Sequence, residues 1–109
     1  MEINTESVII VYAFRYALGR QSGAVYDVIS SIMANINNID EKYKAIIVSE
    51  TVKYLEEVNT SQYVPEDIKL CWKNLIMELL KVLKKESKEW LVNPLGGGIK
   101  EEELNKYIM

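Results

Sequence analysis

Two arginines and two tyrosines sit together in the most apolar stretch of the chain, Val11-Tyr12-Ala13-Phe14-Arg15-Tyr16-Ala17-Leu18-Gly19-Arg20. On a helix, Tyr12, Arg15, Tyr16 and Arg20 fall three and four residues apart and so lie on adjacent turns of one groove. Aromatic faces stack on bases, and guanidinium forks grip phosphates through paired hydrogen bonds. These side chains therefore suit a nucleotide phosphate, with Tyr26 placed to close the groove from the next helix. The same residues allow a structural account, in which Arg15 pairs with Asp27 on that neighbouring helix and the tyrosines rest at the core edge. An arginine in so apolar a segment needs an acid of the same fold, a second subunit or an anionic ligand, and the sequence leaves the three open.

The segment Gly19-Arg20-Gln21-Ser22-Gly23 is short, bounded by glycines and followed by a helical pattern, so its amides are placed to receive an anion. It lacks the lysine, the spacing and the preceding strand of a P-loop. Elsewhere, chemistry is scarce. The chain contains no histidine, which removes the usual general base and the commonest metal ligand. The acidic pairs Asp40-Glu41, Glu56-Glu57 and Glu66-Asp67 sit where helix ends and exposed faces account for them. Cys71, the one cysteine, adjoins Trp72 in a helical pattern and reads as a small buried hydrophobe. No catalytic residue, metal or cofactor is expected.

These groups have to be carried by helices. At 109 residues with 49% hydrophobic content the chain is one domain by length. Helix 1 is expected over residues 5–18, with Asn4 or Thr5 as N-cap and Gly19 as the left-handed terminator. Its apolar stripe is Ile10, Ala13, Phe14, Ala17 and Leu18, and a helix covered so fully by apolar and aromatic groups is expected to be central or at a subunit interface. Val25, Val28, Ile29, Ile32, Met33 and Ile36 predict an amphipathic second helix. A third starts at Asp40 and runs to Val58, with Lys42, Lys44, Lys53, Glu56 and Glu57 facing water. Pro65 opens a long fourth helix, with Ile68, Trp72, Leu75, Ile76, Leu79 and Leu83 as its core stripe, continuing to about Leu91. The expected fold is all-α: a compact four-helix domain over residues 1–92 with a flexible C-terminal arm over 93–109, in which Asn93-Pro94 and Gly96-Gly97-Gly98 act as a hinge.

Beyond the hinge, Leu104, Tyr107 and Ile108 form the apolar side of a short amphipathic tail, and Trp90 beside it is expected to be half exposed. Such a strip gains most by docking on another surface, so these four residues are candidate partner or oligomer contacts. The Glu101 to Glu103 run would meet the Lys81, Lys84, Lys85 and Lys88 cluster of a second subunit in a homo-oligomer. A net charge of −3 gives no basic face for duplex binding, and no helix shows an outward basic recognition surface, so nucleic acid is not an expected partner. The longest apolar run, Val8 to Phe14, is too short for a membrane span and lacks the flanks of a signal peptide, which leads to an expected cytoplasmic location.

The run from Val11 to Arg20, with Val25, Asp27-Val28 and the Asp67 to Trp72 spacing, resembles small phage and prophage proteins of low-GC Gram-positive bacteria that carry a YAFRYALGR-type first helix. This resemblance implies a non-enzymatic accessory factor that counters a host defence in the host cell cytoplasm. Two mechanisms are open within it. One sequesters a host nucleotide signal in an oligomer through Tyr12, Arg15, Tyr16, Arg20 and Tyr26. The other inhibits a host defence protein directly, such as a CRISPR nuclease, through an exposed helical face or the tail. A small helical DNA-binding regulator is the remaining alternative.

Overall fold

The computed structural model describes residues 5–108 and is all-helical among them, with α1 (Thr5–Ala17), α2 (Gly23–Ala34), α3 (Glu41–Val58), α4 (Glu66–Val82), α5 (Lys85–Val92) and α6 (Glu101–Asn105). The expected N-cap Asn4 lies outside the described residues. Helix α1 ends as its sequence predicts: Gly19 takes φ +91°, which only glycine adopts at little cost, and the Leu18 and Arg20 amides donate to Phe14 and Ala17 carbonyls.

The four long helices close a ring in which α1 packs on α2, α2 on α4, α4 on α3 and α3 back on α1. Across its centre Phe14 of α1 meets Trp72 of α4 edge-to-face, with ring centroids 5.7 Å apart, and both side chains are fully buried. The α4 stripe lies where its three- and four-residue spacing puts it, with Ile68, Trp72, Leu75, Ile76 and Leu79 buried and Leu83 just beyond the helix. Val25 and Ile32 do the same for α2.

The central helix is α3, not α1. It contacts α1, α4 and α5 at once, and it buries Ala45, Ile47, Val48, Ser49, Thr51, Val52 and Leu55. Lys44, expected in water, is buried with them and keeps its charge paired through Glu41 at 3.2 Å. A helix with three neighbours draws some polar positions inward, while Lys42, Lys53, Glu56 and Glu57 face water as expected. Thr51 answers this by donating to the Ile47 carbonyl at 2.6 Å. The α3–α4 connection is closed by Lys69, whose buried Nζ donates to the Ser61 carbonyl at 2.9 Å and pairs with Glu66 at 3.1 Å.

The fourth helix does not continue to Leu91. It stops at Val82, Leu83 and Lys84 become extended, and α5 starts a new direction against α3. No proline or glycine causes this break. Leu83 is turned into the core, and the Lys84 N–H donates to Glu41 Oε1 at 2.6 Å, so a tertiary acceptor replaces the lost helical bond. Burial opposes ionisation of Glu41, but the Lys84 N–H, the Ser87 hydroxyl and the Lys44 ammonium outweigh it and hold the carboxyl below the usual glutamate value of 4.5. A depressed pKa in the folded state contributes stability in full above the unfolded value, and that contribution is lost as pH falls through the lowered one. Unfolding midpoints in urea measured from about pH 6 to about pH 3 are expected to fall with acidification, and less steeply in Glu41→Gln. Equal slopes for the two proteins would contradict this role for Glu41.

The glycine segment is not a flexible hinge. The Gly96 and Gly98 amides donate to the Asn93 carbonyl, Gly97 to that of Trp90 and Ile99 to that of Leu91, each at 2.9 Å. A Cβ on Gly96 would fall 2.6 Å from the Trp90 indole, and one on Gly97 2.6 Å from the Leu91 carbonyl oxygen, so glycine here permits close approach of backbone rather than motion. Ser49 of α3 completes the turn by donating to the Gly97 carbonyl at 3.3 Å. The segment after it is no loose arm: Ile99 and Leu104 are buried in the core of the same chain.

Candidate functional site

The five residues proposed to line one groove are divided among three places. Arg15 points across the α1–α3 seam to Glu50, with Nη2 donating to Oε1 at 2.9 Å and Nε 3.3 Å from both carboxylate oxygens. This replaces the expected Asp27 pair, and the Glu50 hydrogen bond and charge raise the Arg15 pKa further. Asp27 instead borders a shallow hollow between α1 and α2 with Ile9, Ile10, Ala13, Val28 and Ser31. Tyr26 donates to Asp67 Oδ2 at 2.6 Å on the α2–α4 seam, at the opposite edge of the ring from Arg15. That bond holds the Asp67 carboxyl below its usual value. Tyr26 therefore closes no groove around Arg15.

Tyr12 and Tyr16 remain on the outer face of α1, and Arg20, just past the helix end, turns back onto Tyr16. Arg20 lies flat over the Tyr16 ring, 4.1 Å from guanidinium carbon to centroid, and its Nε donates to the Tyr16 carbonyl at 2.8 Å. Tyr12 is 70% exposed, Tyr16 62% and Ile9, one turn earlier, 61%. Helical spacing puts Ile9, Tyr12 and Tyr16 in one exposed stripe of large side chains, and Arg20, beyond the Gly19 turn, folds back to cap it. No protein-family model, curated protein or solved structure matches this chain. Among the described residues no group of three or more potential ligands converges to hold a metal, and no helix is long and apolar enough to cross a membrane.

Ile9 was not singled out by sequence reasoning, although its three-residue offset from Tyr12 was visible. When nearly every position of a helix is apolar, spacing alone does not say which stripe faces out. Ser7, Val11, Phe14 and Ala17 take the inner face, and the stripe a half-turn away is left in water.

The tail candidates also divide. Leu104 is buried by its own chain, Tyr107 is half-buried, and Ile108 stays 48% exposed. Glu103 pairs locally with Lys106 at 2.9 Å. Tyr107 walls a cleft of about 430 Å³ between α3, α4 and the C-terminal segment, over a floor that includes Leu55 and with Asn59, Lys73, Asn74 and Lys100 around it. Burial raises the Tyr107 pKa, and Glu103 and Glu56 add to the rise. Lys73 and Lys100 were not recognised in the sequence, since they stand 27 positions apart and only the docking of the C-terminal segment brings them to one cleft. Trp90, 38% exposed as expected, lines a separate groove between α3 and α5.

Proposed function

We propose that this is a non-catalytic binding protein that engages a protein partner through the outer face of α1. The observation that carries the reading is the exposed Ile9, Tyr12, Tyr16 stripe ending in a preset Arg20. Tyrosine and arginine dominate binding hot spots, and an amphipathic helix read at three- and four-residue anchors fits a partner groove. Because Arg20 is already stacked on Tyr16, little side-chain freedom is lost on binding. The resemblance of the first helix to phage proteins supplies the class of partner, a host defence protein that is inhibited by direct contact in the host cytoplasm.

A second reading, sequestration of a host nucleotide signal, draws support from the cleft rather than from α1. Lys73 and Lys100 border it without an ion pair among the described residues, beside Glu56 and the Glu103–Lys106 pair, two asparagine amides stand next to them, and Tyr107 offers a ring to stack on. Arg15 contributes less to such a reading, because Glu50 already satisfies it.

One experiment separates the two. In host cells whose defence system restricts phage plating, the protein is expected to restore plaques. Tyr12→Ala with Tyr16→Ala is expected to weaken the partner complex on the order of 100-fold, at about 1–2 kcal/mol per anchor, and to abolish restoration with the helical circular dichroism unchanged. Lys73→Ala with Lys100→Ala is expected to retain it. The reverse outcome transfers the function to the cleft.

A further inference from the structure

A leucine stands clear of the protein at the tip of a densely hydrogen-bonded turn. Leu95 is 98% exposed, yet the turn that presents it is held by the hydrogen bonds of Gly96, Gly97 and Gly98 and by Asn93 Oδ1, which accepts from the Leu95 amide at 2.9 Å. Gly96 sits so close to the Trp90 indole that a Cβ there would fall 2.6 Å from it, which places the Leu95 turn directly beside Trp90. Alongside runs the groove between α3 and α5, about 380 Å³, walled by Ala45, Ile46 and Trp90 and bordered by Lys42 and Glu86. Neither Lys42 nor Glu86 has an ion-pair partner among the described residues. A fixed apolar knob thus adjoins an apolar hole whose rim carries one charge of each sign.

We propose that this face is a two-fold interface with a second copy of the chain, Leu95 of each protomer entering the Trp90 groove of the other. A two-fold axis repeats every contact, so a Lys42–Glu86 pair formed across it on one side is formed again on the other. The charge pattern is therefore self-complementary, which a groove bordered by one sign would not be. The rigid turn has already given up its conformational freedom, so ordering Leu95 on association costs little. The surface lies on α3, α5 and the turn after α5, away from the α1 face, and it survives failure of the partner reading.

Sedimentation equilibrium of the full chain from micromolar to about 1 mM tests the proposal. A reversible dimer is expected, and Trp90 emission should shift to the blue as it forms, since Trp72, the other tryptophan, is buried in either state. Leu95→Asp is expected to weaken the dimer on the order of 30-fold or more, and at so exposed a position it leaves the fold intact. Lys42→Glu and Glu86→Lys are each expected to weaken it, and the two together to restore it. A monomer throughout the range, a dimer indifferent to Leu95→Asp, or single reversals that the double variant does not rescue would each overturn the proposal.

Discussion

Trp72→Ala is expected to remove a large share of the stability of this domain. The indole is fully buried at the centre of the helical ring, stacked edge-on against Phe14 and surrounded by the α4 stripe that joins α2 to α3. Truncating a buried tryptophan costs about 3–5 kcal/mol, from lost transfer free energy together with the cavity left behind. A domain of this size has about 5–15 kcal/mol in total. Trp72→Phe separates packing from polarity at the same position. The indole Nε1 is buried with no hydrogen-bond partner in the protein, a desolvated donor that costs about 1–3 kcal/mol. Phenylalanine removes that donor and keeps the ring that faces Phe14, so its loss is expected to be less than half that of alanine. Urea unfolding followed by circular dichroism measures both. A Trp72→Ala loss below about 1 kcal/mol would mean that the ring of helices is not held at its centre.

How far such a core could be read beforehand differs from element to element. The α4 stripe and the Val25 and Ile32 positions of α2 were legible, because one clean period fixes one buried face and tertiary packing only confirms it. The end of α4 was not legible. Leu83, Lys84 and Lys85 are acceptable helical residues, and the chain breaks there because Glu41, more than forty positions away, captures the Lys84 amide while Leu83 drops into the core. Arg15 shows the same limit at a candidate site. Asp27 and Glu50 are both on helices beside α1, and only the rotation of each helix decides which carboxylate the guanidinium reaches. The burial of Lys44 is not legible locally, because α3 has neighbours on three sides, which no local pattern announces.

The glycine run is the sharpest such case, since composition alone reads it as slack and its contacts make it a clasp. Gly97→Ala is the decisive substitution. The added methyl would lie 2.6 Å from the Leu91 carbonyl oxygen, 2.8 Å from its Cα and 3.0 Å from its carbonyl carbon. All three atoms are backbone of a packed helix, so they cannot turn aside as a side-chain tip would. The turn must lift instead, which strains or breaks the Gly97 and Ile99 amide bonds to α5, the Ser49 bond from α3, and the burial of Ile99 and Leu104 beyond them. Overpacking of this kind costs about 1–3 kcal/mol, and the hydrogen bonds lost with it place the expected value at the upper end, a fall in Tm of about 10–20 °C. Gly23→Ala is the matched control: nothing lies within 4 Å of its Cβ position at the start of α2, and alanine there is expected to stabilise by about 0.4–1 kcal/mol through the unfolded chain. Opposite signs at the two glycines would show that Gly97 is required for close approach and not for bending. If Gly97→Ala is as benign as Gly23→Ala, the C-terminal segment does not depend on the clasp, and the fixed presentation of Leu95 loses its physical basis.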